Sequence, residues 1–114
     1  MKYLLNYSKQ QAKERGLRWD ITGLDECRIL EYVGNDTEII IPDTISSLVV
    51  TEIADNAFSN KGLTSVTLTS YLTYIGFKAF ANNDLKEVVV PNKFTFIEVD
   101  AFIANDKIKV RSLN

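Results

Sequence analysis

The sequence predicts a β-leaning α/β fold: a short right-handed solenoid with a parallel β-sheet, covered at its N-terminal end by a helix plus a β-hairpin. One observation is repetition. Ile53, Ala57, Phe58, Leu63, Val66 and Leu68 are followed by Ile75, Ala79, Phe80, Leu85, Val88 and Val90, and then by Ile97, Ala101, Phe102 and Val110, with a step of 22 residues in every column. A fixed period between about 20 and 29 residues, with a Leu-x-x-Val-x-Leu strand segment, is the signature of a leucine-rich-repeat solenoid. A second is size and balance. A chain of 114 residues with 46% apolar and 25% charged residues holds one core in one domain.

Taken in order, residues 4–15 lack Gly and Pro and are rich in Gln, Lys, Ala and Glu, which favours a helix. Gly16 stands at the C-cap behind Lys13 and Arg15, two cations suited to the negative helix end. Residues 17–22 alternate Leu17, Trp19 and Ile21 against Arg18, Asp20 and Thr22, the pattern of a half-buried strand. Residues 23–26 read as a turn, and residues 27–33 as the return strand, closed by Gly34, Asn35 and Asp36. Helix and hairpin make an N-terminal cap over residues 1–36, shielding the edge of the first repeat, and the solenoid fills residues 37–114. Its first strand is residues 38–42. The link from Ile41 to Ile53 is five residues longer than its later counterparts, so a protruding loop is predicted within residues 43–51.

Stacked coils turn each column into a line of side chains through the core. Phe58, Phe80 and Phe102 become a pile of rings, each worth about 1.5–3 kcal/mol when buried. Ala57, Ala79 and Ala101 are small because backbone packs close behind the rings. Val50, Leu72 and Phe94 form a further apolar column. Gly62, Asp84 and Asp106 fall where a left-handed backbone is expected, which these residue types tolerate.

Composition excludes several classes of function. There is no histidine, which removes His-based triads and zinc sites of the usual kind. Cys27 is alone and cannot form an intrachain disulfide. The net charge of −2 is unevenly spread: residues 1–19 are basic, 20–106 carry five basic and fourteen acidic residues, and 107–114 are basic again. The acidic body argues against nucleic acid, and the apolar stripe of the first helix is too thin for membrane insertion. No secretory leader of sufficient apolar length stands at the start, so the chain as written is expected in the cytoplasm.

The segments Ile-x-x-x-Ala-Phe and Leu-x-x-Val-x-Val-Pro, over residues 17–112, resemble the BspA-like leucine-rich repeats of bacteria and some parasitic protists. The resemblance implies a protein-binding solenoid without enzymatic activity, often part of a surface-exposed adhesive protein. The chain departs from that pattern in its outer columns. Phe77 and Val99 follow Asp55 at a position that is usually polar, and Tyr74 and Phe96 follow Glu52. Lys107 replaces a strand Leu, and no C-terminal cap is recognisable after it.

Candidate partner-binding residues are therefore Tyr74, Phe77, Phe96 and Val99, either exposed as a contact patch or covered by neighbours. The exposed strand positions, Glu87, Lys109 and Arg111 among them, form the other candidate surface, with Glu87 and Lys109 in register to pair. Asn82, Asn83, Asp84, Asn105 and Asp106 could supply calcium ligands at successive turns. The first repeat offers only Asn60, Lys61 and Gly62, so side-chain-to-backbone turns are favoured. No cofactor, metal or catalytic residue is assigned. The expected function is a non-catalytic interaction module binding a partner protein; the alternative is self-assembly by stacking through the last repeat.

Overall fold

The computed structural model describes residues 5–113. Coils stack as a β-solenoid of about four turns. Among the described residues the strands are β1 (Asn6–Tyr7), β2 (Leu17–Ile21), β3 (Glu26–Tyr32), β4 (Glu38–Ile40), β5 (Thr44–Ile45), β6 (Leu48–Ile53), β7 (Ser65–Thr67), β8 (Tyr74–Ile75), β9 (Glu87–Val90), β10 (Phe96–Ile97) and β11 (Lys109–Ser112), with one helix, α1 (Lys9–Glu14).

The helix is shorter than predicted. Ser8 caps it, its hydroxyl accepting from Gln11 N while Gln11 Oε1 accepts from Ser8 N, a reciprocal capping box. The chain before it is held extended as β1, parallel to β5; Leu4, the expected first helical residue, lies outside the described residues. Gly16 follows the cap residue Arg15 at φ 77, as the C-cap reading requires. The hairpin is present: β2 and β3 run antiparallel, with Trp19 opposite Ile29.

Residues 43–51 do not protrude. Ser46 and Ser47, at φ 52 and 66, make a two-residue turn of the hairpin type, folding β5 back on β6. Thr44, Ile45, Val50 and Thr51 are buried there. The inserted residues thus become sheet, because their own apolar side chains reach the core.

Each coil contributes two short strands. One set, β6, β8 and β10, stacks in parallel and joins β3. The other carries the Leu-x-x-Val-x-Leu segments as two separate parallel pairs, β4 with β7 and β9 with β11, rather than one continuous sheet. Between the two sets lies the core. Tyr32, Phe58, Phe80 and Phe102 stack with centroid spacings of 5.5, 5.1 and 5.4 Å and interplanar angles of 19, 11 and 6°. The predicted ring column is present, and Tyr32 from the hairpin extends it by one ring. Behind it, Tyr32 N donates to Ala57 O at 2.8 Å, Phe58 N to Ala79 O at 2.7 Å and Phe80 N to Ala101 O at 2.8 Å. Backbone therefore bonds along the solenoid axis at the three Ala positions, all of which are buried.

Asn83 and Asn105 are buried beside the rings. Asn83 Oδ1 accepts from Lys61 N and Leu63 N, and its Nδ2 donates to Phe58 O and Phe80 O. Asn105 Oδ1 accepts from Leu85 N, and its Nδ2 donates to Phe80 O and Phe102 O. These amides are committed to backbone that would otherwise be buried unpaired, which is the turn reading of the asparagine columns.

Three column assignments need correction. Phe94 is 81% exposed, not a partner of Val50 and Leu72. The turn before Leu72 starts at Thr69, whose Oγ1 accepts from Tyr71 N, whereas the turn before β10 starts at Asn92, whose Oδ1 accepts from Phe94 N. Shifted by one residue, Thr95 takes the buried place and donates to Leu72 O at 2.6 Å. The left-handed columns are Asn56, Lys78 and Asp100, and Asn60, Asn82 and Ala104; of the predicted column only Gly62 has positive φ. Finally, Lys107 turns outward at φ 57 and Ile108 packs on the core instead.

Three stability measurements check this packing. In urea titrations, Phe80→Ala is expected to cost about 3–5 kcal/mol and Phe102→Ala clearly less, because Phe102 is only half-buried. Asn83→Ala is expected to cost on the order of 3 kcal/mol by orphaning buried amides and a carbonyl, against nearly nothing for exposed Lys86→Ala. Ala104→Gly, at φ 59, is expected to stabilise by about 0.5–1 kcal/mol, since only glycine enters that region without strain.

Candidate functional site

The strands that stack on β3 place one row of side chains outward across the sheet. Cross-strand register sets Asp20 beside Arg28, Arg28 beside Glu52, Glu52 beside Tyr74 and Tyr74 beside Phe96. Period-2 alternation decides this: Ile29, Ile53, Ile75 and Ile97 face the core, so their neighbours face out. The row starts ionic and ends aromatic. Arg28 donates to both Asp20 oxygens at 3.2 Å, and its other nitrogen is 3.9 Å from Glu52 Oε1. Tyr74 and Phe96 stack at 6.1 Å and 9°.

Phe77 and Val99 lie on the turns that follow β8 and β10. Phe96 is 58% exposed, Val99 67% and Phe77 36%, while Tyr74 is half-buried. Phe77, Phe96 and Val99 are thus open to solvent, whereas Tyr74 is partly covered. Gly76 is needed between these rings: a Cβ there would stand 2.5 Å from Asp55 Oδ1 and 2.6 Å from Asp55 N. That close approach lets Asp55 Oδ1 accept from Phe77 N at 2.9 Å, fixing the turn that presents the Phe77 ring.

Carboxylates surround the aromatic end. Tyr74 Oη donates to Glu98 Oε2 at 3.1 Å. Arg28, Leu30, Glu52, Ala54, Asp55 and Tyr74 line an open depression of about 380 Å³. Loss of solvent, then the bond to Glu98, then the charges of Glu98, Asp55 and Glu52 hold the Tyr74 hydroxyl above its ordinary pKa. Glu52, Asp55 and Glu98 act together on one phenol; Glu52 and Asp55 head the two outer columns in the sequence, whereas nothing in the spacing had brought Glu98 to the site.

Glu87, Lys109 and Arg111 are elsewhere. They sit on β9 and β11, in a different sheet, and the expected pair of Glu87 with Lys109 is not the one made. Arg111 Nε approaches Glu87 Oε2 at 3.5 Å, a diagonal reach by the longer side chain. Both partners are more than half exposed, so the contact contributes little. Cys27 is fully buried, its Sγ donates to Leu48 O at 3.6 Å, and burial pushes its thiol up to about 11, which suits a core residue rather than a nucleophile.

Among the described residues no group of three or more Cys, Asp or Glu is placed to hold a metal ion, and no helix is long and apolar enough to cross a membrane. No curated protein and no solved structure gives a significant match. A family model does: the BspA type leucine-rich repeat region, in six copies, matches residues 29–113. That span begins within β3 and covers every coil, so the chain belongs to the BspA-type leucine-rich-repeat family.

Proposed function

We propose that this chain is a non-catalytic interaction module that binds a partner protein through the outward face of β3, β6, β8 and β10. The observation that carries the proposal is the stacked pair of half-buried Tyr74 and exposed Phe96, flanked by Phe77 and Val99. Stacking fixes both rings before any partner arrives, and rigid aromatic groups lose little entropy on binding, which is why they dominate interface energetics. A coarser support is the family, whose repeats serve commonly in protein interaction and are generally not enzymes. The Glu87 and Arg111 surface exposes Ile40 and Val110 as well, but no stacked aromatic pair.

The test uses immobilised chain as bait, comparing wild type with Phe96→Asp and with Ile40→Asp, an equally exposed site on β4. Proteins captured by wild type and by Ile40→Asp, but lost at least about tenfold with Phe96→Asp, are the expected result. Equal capture by all three contradicts it. Sedimentation over a range of concentrations separates the competing self-assembly reading, for which association of the chain alone would have to appear.

A further inference from the structure

We infer that the partner presented to this face is a cationic segment, one placing an arginine or lysine against an outer face of the stacked Tyr74 and Phe96 pair, with its charge beside Glu52 and Glu98. The inference rests on the interaction face just proposed and adds the chemistry of the occupant. Charge decides it. Among the described residues, Asp20, Glu52, Asp55 and Glu98 lie on or beside the row, against the cations Arg28 and Lys78. Both cations are already engaged: Arg28 by Asp20 and Glu52, and Lys78 with its Nζ 5.2 Å from the Phe77 centroid.

The chain shows what a cation does with such rings. Arg15 lies 5.8 Å from the Tyr7 centroid, Lys78 covers Phe77, and Lys93 lies 5.3 Å from Phe94. Among the described residues, Tyr74 and Phe96 hold no cation of this kind, although Glu98 and Glu52 would complete its charge. A ring face draws a cation by its quadrupole, more strongly for a guanidinium, which also stacks. An acidic segment would meet the carboxylates without compensation, and an apolar one would bury Glu98 and Glu52 beside it at a cost. A negative face also speeds encounter with a positive partner, with a rate that falls as salt rises.

The probe is a fluorescein-labelled peptide of four Arg-Gly repeats, read by anisotropy against the whole chain, with a Glu-Gly peptide of equal length beside it. The arginine peptide is expected to bind and the glutamate peptide not. Phe96→Ala and the pair Glu52→Gln, Glu98→Gln are each expected to weaken binding about tenfold, while Glu38→Gln with Glu87→Gln, which removes as many charges from the other strands, leaves it within about twofold. Failure of the arginine peptide to bind overturns the inference, as does equal loss in both double variants, which would mean attraction to net charge alone. If the peptide fails while Phe96-dependent protein capture persists, the face stands and its cationic occupant does not. Concentration-dependent dimerisation abolished by Phe96→Ala would make a second copy the occupant, and would also overturn it.

Discussion

The register of one coil on the next is maintained by two lines of contact that run together along the axis. Rings at Tyr32, Phe58, Phe80 and Phe102 stack at just over 5 Å, and the amide of each of the first three donates to the Ala carbonyl one coil on. Neither line tolerates slippage. A coil displaced by one residue would lose its ring from the stack and leave backbone groups unpaired in the interior, where each costs about 1–3 kcal/mol. The buried amides of Asn83 and Asn105 bridge the carbonyls of the ring residues themselves, Phe58 with Phe80 and Phe80 with Phe102, and enforce the same register from the side. Hydrophobic burial thus drives the stacking, while hydrogen bonding decides its phase.

The outward face depends on that phase. Tyr74 and Phe96 meet because their strands differ by one coil and pair residue for residue, Ile75 with Ile97 beneath them. Short parallel strands with buried Ile on one side leave their other side free, and what occupies it is not needed for folding. Here the outward positions change from an ion-paired cluster at Arg28 to an aromatic and acidic one at Tyr74 and Glu98. Family membership accounts for the scaffold; these outer side chains distinguish the chain from a generic coil.

Much of the scaffold was legible because a column repeats the same residue type: Phe three times, Ala three times, Ile three times. Tyr32 escaped because it lies 26 residues before Phe58, off the period, and reaches the stack from the hairpin. Phe94 was misplaced because equal linker length conceals a turn that starts at Asn92 in one coil and Thr69 in another. The hairpin turn at Ser46 and Ser47, and the left-handed Lys78 and Ala104, use residue types that do not advertise positive φ. At the site, the aromatic columns and their separation from Glu87 and Arg111 were readable from spacing, but Glu98 was not. Spacing gives position along a coil; it does not say which side chains bend across to one another.

The most direct test of the axial column is native-state hydrogen exchange resolved by residue. The Phe58 and Phe80 amides, which donate to Ala79 and Ala101 inside the stack, are expected to exchange slowest, with opening free energies equal to that of global unfolding. The Ser59 amide, held only within its turn by Asn56 O at 3.2 Å, should exchange far faster. Exchange at Phe58 and Phe80 as rapid as at Ser59 would contradict a continuous column and remove the basis for the surface built on it.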